Sequence, residues 1–160
     1  MGIVLKNILA LLPEGNAGGA RDVLRETDIY IEGTRITAMG KKPEGFLEEK
    51  VIDGKDRLAI PGLVNCHTHS YMSFMRNVAD DLSFMDWLFG SIDPIEQQMT
   101  DEDTYWGACL AIIEMMKSGT TCFNDMQMNI HQTTRAVKES GMRAVISRGL
   151  IGSGNDEAGQ

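Results

Sequence analysis

Two rhythms of apolar residues divide the chain. In DIYIEGTRITAMG, residues 28–40, Ile29 and Ile31 alternate with polar or amphipathic neighbours, and Ile36 and Ala38 repeat the alternation beyond Gly33. A period of two puts one set of side chains on one face of a strand. The segment therefore predicts two strands joined as a hairpin at Glu32-Gly33-Thr34. Residues 3–12 are also strand-like and stop at Pro13, and the glycine-rich EGNAGGA at 14–20 reads as a turn or loop. Polar residues 41–47 read as loop, and 48–62 add short strands around Gly54. Residues 1–60 thus form one β-rich region.

After Pro61 the rhythm changes. Residues 63–65 open a strand that runs into His67, and a helical piece follows at 82–89. A clearer helix is predicted at 101–117, with Thr100 as its N-cap and Asp103 three residues on. Tyr105, Cys109, Ile112, Ile113 and Met116 form its predicted buried stripe, and Gly119 its stop. TTCFND at 120–125 reads as a second strand, 130–139 as a helix closed by Gly141, and MRAVISRGL at 142–150 as a third strand. Strands alternating with helices call for right-handed crossovers and a parallel sheet. The fold class is α/β, with residues 61–160 as the second region.

Composition narrows the partners. Fifteen basic against 23 acidic residues leave a net charge of −8, which argues against nucleic acid or an anionic membrane surface. Hydrophobic residues make up 42%, as in a globular protein. Cys66, Cys109 and Cys122 form no CxxC pair, so neither a disulfide framework nor a thiolate zinc site is expected, and a reducing cytoplasm fits. The apolar start, MGIVLKNILALL, is interrupted by Lys6 and Asn7 and does not read as a signal peptide. No stretch approaches the ~18 apolar residues of a membrane span.

The candidate chemistry begins at PGLVNCHTHS, residues 61–70. His67 and His69 are separated by one residue, so in a strand they share a face and their imidazoles can converge on one ion. Neutral imidazole suits zinc and its first-row neighbours. The pair sits at the C-terminal end of the first parallel strand, where barrels and open α/β sheets place their chemistry.

IPGLVNCHTHSYMSFMRNVADDLSFMDWLF resembles the metal-dependent amidohydrolase superfamily, in its aminohydrolase branch. ADDLSFMDWL, PIEQQMT, SGTTCFNDM and GMRAVISRGL look like the 5′-methylthioadenosine/S-adenosylhomocysteine deaminases within it. The resemblance implies the N-terminal part of a (β/α)8 TIM-type barrel, with three strands in 61–160, preceded at 1–60 by strands of a small β-sandwich. It implies His67 and His69 as ligands of one divalent metal, most simply zinc. It also implies Glu96 as acceptor of the substrate's ribose hydroxyls and Arg148 as a further substrate contact. The implied reaction is hydrolytic deamination of the adenine ring of a small-molecule nucleoside. Related chemistries share the same signature: guanine or cytosine deamination, triazine dechlorination, or a noncatalytic metal-binding module working with a second chain. Proton-transferring residues and further metal ligands are expected beyond Gln160. The 160-residue chain alone is expected to be inactive and to need the remainder of the barrel, with homo-oligomerisation left open.

The other candidates carry weaker signals. Asp125 ends the predicted second strand and could face the pocket as an acceptor supporting the site. Trp87, Phe84 and Phe89 lie on a segment that could cover the entrance, with core packing the expected task of at least two. His131 reads as surface, the 11 methionines as core filler, and Cys66 as packed against outer helices.

Overall fold

The computed structural model describes residues 1–14 and 21–149. The loop predicted at 14–20 therefore falls, beyond Glu14, outside the described residues, as do Leu150 and residues 151–160. The chain divides into two compact units, Met1–Pro61 and Gly62–Gln160.

The first unit is a five-stranded sheet. It contains β1 (Gly2–Glu14), β2 (Arg21–Glu32), β3 (Arg35–Met39), β4 (Lys50–Asp53) and β5 (Leu58–Ala59). The order is β3-β2-β1-β4, with β5 also paired to β1. β1 runs antiparallel to β2 and parallel to β4 and β5. Its register with β2 breaks between Leu5 and Ile8. There Asn7 takes a positive φ of 58°, and its N–H donates to Asp28 Oδ1 at 3.0 Å. Asparagine tolerates this left-handed conformation better than most residues.

Val4, Tyr30 and Phe46 form one small core, with the two rings edge-on at 5.1 Å, and Ile8, Ala10 and Ile29 form another. The predicted hairpin is present as β2 and β3. Its apolar alternation does not hold across both strands: Ala38 packs on the Val4 cluster, whereas Ile36 is 57% exposed. A register shift pairs Tyr30 with Ala38 but Ile31 with Ile36, so Thr37 is an extra residue and the two apolar side chains diverge.

The second unit holds a parallel sheet in the order β6 (Leu63–Thr68), β7 (Thr120–Gln127), β8 (Arg143–Arg148). Between β6 and β7 come a 3-10 turn (Ser70–Met75), α1 (Phe84–Trp87), a π turn (Leu88–Ile92), α2 (Asp93–Glu96) and α3 (Asp101–Lys117). α4 (Ile130–Ser140) links β7 to β8. α3 starts where the sequence predicts, with Thr100 and Asp103 capping each other reciprocally. α4 ends on Gly141 at a φ of 72°, a conformation glycine adopts without penalty.

The buried face of α3 keeps Tyr105, Cys109 and Ile112 of the predicted stripe but departs from it elsewhere. Thr104, Tyr105, Ala108, Ala111, Ile112 and Met115 face inward, while Ile113 and Met116 are exposed. Small residues decide this, because they let the helix lie close to its neighbours. Gly107 shows it best: a Cβ there would collide with the backbone carbonyl of Tyr71. One face of β7 is sealed beneath the helices at Phe123, Asp125 and Gln127, while Asn124 and Met126 on the alternate face are exposed. No helix among the described residues is long and apolar enough to cross a membrane.

Candidate active site

His67 is the penultimate residue of β6 and His69 follows the strand directly. Their ring centroids lie 4.9 Å apart with planes at 89°, so both imidazoles occupy one side of the backbone. The strand is not regular here. Its register against β7 shifts between Asn65 and Thr68, a bulge that re-aims side chains at a strand end. Asn65 Oδ1 accepts from the His67 N–H at 3.2 Å, and Asn124 Nδ2 donates to the Cys66 carbonyl at 3.1 Å. These two asparagines hold the bulge that the histidines stand on.

His69 has a defined tautomer. Its Nδ1 lies 2.5 Å from the Met126 carbonyl oxygen. A carbonyl can only accept, so Nδ1 is the donor, and in the neutral ring the lone pair then falls on Nε2. That is the state in which imidazole binds a metal, and a carbonyl behind the ring is a common orienting partner. The donor set therefore fits a first-row divalent metal as far as two ligands reach. Among the described residues, no group of three or more His, Cys, Asp or Glu side chains converges as a metal cluster.

Immediately after His69, the chain is tied to β7. Asp125 is fully buried. It accepts from the Ser70 N–H at 3.2 Å and from the Ser70 hydroxyl. Burial pushes its carboxyl above the usual range, and the Ser70 hydrogen bonds oppose that shift. Asp125 thus anchors the turn that fixes the His69 backbone; it lies inside β7 rather than at its end and does not line the cavity it is expected to face.

A cavity of about 620 Å3 opens beside His69 at the C-terminal ends of the strands. Its walls are mainly apolar, from Met72, Phe84, Trp87, Leu88, Ile92, Met126 and Met128. Its polar groups are few: His69, Tyr71, Glu96, Gln127 and Arg148. Such a lining is typical of a small-molecule site. The structure therefore brings three of the four sequence candidates to one cavity, with the fourth, His67, in ring contact with His69.

Glu96 ends α2 and accepts a hydrogen bond from the Tyr71 hydroxyl. Burial, then the neighbouring carboxylate, raises the Tyr71 pKa, so this phenol stays protonated and donates. Arg148 ends β8 and is exposed at the cavity.

Tyr71 and Gln127 carried no signal in the sequence reading. Tyr71 sits in a turn without periodicity. Gln127 lies two residues past the predicted end of the second strand, which in fact runs to Gln127. Other expectations need correction. Phe84 and Phe89 are 65% and 58% exposed rather than core, although Phe84 and Trp87 do line the cavity. Cys66 is exposed, because the bulge carries it to the open side. Methionines 75, 115 and 142 are buried, but Met39, Met85, Met116, Met126 and Met128 are exposed, so core filling does not describe the set. His131 is at the surface, as expected.

Comparison with known proteins adds the lineage of this arrangement. The sequence pattern described as the amidohydrolase family matches residues 58–159. A 5-methylthioadenosine/S-adenosylhomocysteine deaminase of Pelotomaculum thermopropionicum is 44% identical over 96% of this chain, which spans 35% of that relative. A 5′-deoxyadenosine deaminase of Methanocaldococcus jannaschii is 48% identical over 79% of the chain and 30% of its own length. Among solved structures, an adenosine deaminase from Xanthomonas campestris with bound zinc superposes with a TM-score of 0.77 at 31% identity. That match covers 89% of this chain and 33% of the other. The chain thus spans about a third of the length of the curated relatives it matches, and its fold is the N-terminal part of their barrel with the preceding β-strands.

Proposed function

The chain belongs to the amidohydrolase family, and on that premise we propose that it forms the substrate-gripping and metal-anchoring part of an adenosine-analogue deaminase. The observation that carries this reading is the single cavity lined by His69, Glu96 and Arg148. The curated relatives named for deaminating adenosine analogues support it.

Each residue has a task its chemistry suits. His67 and His69 hold a divalent metal, most simply zinc. When bound there, zinc supplies Lewis-acid activation of water near neutral pH. The Met126 carbonyl engages His69 Nδ1, so in its neutral form His69 would hold the metal through the other ring nitrogen. Glu96 accepts hydrogen bonds from ribose hydroxyls, with Tyr71 orienting it from behind. Arg148 presents a fork of donors to the substrate's 5′ substituent. The apolar walls around Trp87 and Phe84 take the purine ring and exclude water from it.

The proton-transferring groups and the other metal ligands belong to the rest of the barrel. By this reading residues 1–160 alone bind metal weakly and turn nothing over, and the protein acts in a soluble compartment, the cytoplasm.

The test is a substrate panel offered to the complete enzyme carrying this segment: 5′-methylthioadenosine, S-adenosylhomocysteine, guanine and a chlorotriazine. The adenine nucleosides are expected to be deaminated, with loss of absorbance near the adenine maximum. Glu96→Gln is expected to lower kcat/KM for them by about 10- to 100-fold, the weight of one or two charge-assisted hydrogen bonds. Preferred turnover of guanine or the triazine overturns the substrate reading. Undiminished zinc uptake in a His67→Ala/His69→Ala double variant overturns the metal assignment.

A further inference from the structure

The geometry points to Gln127 as a second ligand-binding residue of the cavity, whose carboxamide pairs with Glu96 to read a vicinal diol from both sides. The inference rests on the nucleoside reading above and deepens it.

Gln127 is the last residue of β7 and only 2% exposed. Its backbone carbonyl is satisfied, accepting from the Gly149 N–H at 3.1 Å. Its side chain is not: neither Nε2 nor Oε1 has a hydrogen-bond partner. Leaving a buried amide unpaired costs about 1–3 kcal/mol. A structural glutamine at the end of a sealed strand face has no reason to carry that cost, since a methionine would fill the same space without it.

Position gives the unpaired amide a use. Gln127 lines the large cavity and also a smaller one of about 110 Å3. Tyr71, Glu96 and Met128 line both cavities as well. Gln127 therefore stands with Glu96 at the junction of an apolar chamber and a small polar recess that also meets Thr104 and Asn129. The recess has room for a few waters or a pair of hydroxyls.

The hydrogen-bond inventory then selects the ligand group. One oxygen of Glu96 is engaged by the Tyr71 hydroxyl, and a carboxylate only accepts. Glu96 can accept hydrogen bonds from the hydroxyls but cannot donate to their oxygens. A carboxamide can also donate, so the Gln127 NH2 supplies the hydroxyl oxygens with the donor that Glu96 lacks. Carboxylate and carboxamide together offer a cis-diol both acceptors and a donor, which the carboxylate alone does not.

The experiment titrates the complete enzyme carrying this segment, stripped of metal so that nothing turns over, by calorimetry with 5′-methylthioadenosine and with its 2′,3′-dideoxy counterpart. It compares the unmutated enzyme, Gln127→Met and Glu96→Gln. Gln127→Met is expected to raise Kd for the diol about tenfold, the weight of a single well-made hydrogen bond, and to leave Kd for the dideoxy nucleoside unchanged. Its ligand-free thermal midpoint is expected to rise, because an unpaired buried amide has gone. Equal weakening of both nucleosides, no weakening, or a lower midpoint overturns the assignment of Gln127. If Glu96→Gln still weakens the diol selectively in that case, the nucleoside reading stands without it. If the unmutated enzyme shows no preference for the diol, the nucleoside reading fails and takes this inference with it. Should Gln127→Met not fold, Gln127→Leu, which also removes the donors and the acceptor, is read by the same two affinities.

Discussion

The two units of the chain settle their polar groups in opposite ways. In residues 1–61 a buried aromatic finds everything it needs nearby: the Tyr30 hydroxyl donates to Asp28, two residues before it, and its ring meets Phe46. Among the described residues, the buried side-chain polar atoms left without partners belong to Gln127, Gln132 and Thr133, all in the second unit. The first sheet is closed by neighbouring strands. The second is built from crossovers that bring distant residues to the strand ends, and it leaves some of them unpaired. Satisfied polar groups hold a fold in place; unpaired ones beside a cavity are free to hold something else.

The largest expected effects test whether the two cores are comparable while the sites are not. Phe46 is 4% exposed in the first unit and Phe123 is fully buried in the second. Truncating either to alanine is expected to cost about 3–5 kcal/mol, read as a lower midpoint in urea unfolding. Only Phe123→Ala is expected also to loosen the cavity, because Phe123 shares its strand face with Asp125 and Gln127. A Phe46→Ala variant that lost nucleoside affinity as severely would break the comparison.

Next in size is Asp125→Ala. It strips the Ser70 N–H and hydroxyl of their acceptor inside the fold. A buried donor left unpaired costs about 1–3 kcal/mol. The loss is expected to spread to metal uptake, because the same turn fixes His69. The sharpening measurement is zinc affinity by competition with a chelator dye. Asp125→Ala is expected to weaken zinc without removing a ligand, whereas Thr121→Ala, an exposed position on the same strand, is expected to leave it unchanged.

Much of this was legible in the residues themselves. Period-two alternation located the β2–β3 hairpin, the Thr100–Asp103 pair located the start of α3, and Gly141 located the end of α4. These are local signals, set by residues within a few positions of one another. The spacing of His67 and His69 was local too, and their rings do meet. What stayed hidden depends on contacts distant in sequence. On α3 the apolar spacing marks Tyr105, Cys109 and Ile112 correctly but not Ile113 and Met116, which lie outside because Gly107 and the alanines carry the packed face. Ile36 was misplaced by a bulge that alternation cannot reveal. Tyr71 and Gln127 acquire meaning only when Glu96 is beside them. Placing Glu96 and Arg148 at a site depended on family resemblance, since each would otherwise pass for an ordinary charged residue.

The smallest expected effect concerns surfaces, where the two units should behave alike. In the first unit Lys6 donates to Glu48 at 3.0 Å, and Lys42 lies 3.1 Å from the other oxygen. These two lysines hold the Glu48 carboxyl below its ordinary 4.5. In the second unit the Tyr105 hydroxyl and Arg135 do the same for Glu139. A depressed carboxyl binds its proton less readily folded than unfolded. Its stabilising contribution is therefore present above the unfolded value and is lost as pH falls through the folded one. Glu48→Gln and Glu139→Gln are each expected to produce a slight loss of stability at pH 7 in low salt. Both losses should vanish below the carboxyl range and also in about 1 M salt, where the screening length falls to roughly 3 Å. Urea midpoints at the two pH values, with and without salt, make the measurement. A loss at Glu139 that survives high salt would mean that its hydrogen bond from buried Tyr105 reaches into the core, and that the contrast between the units extends to their surfaces.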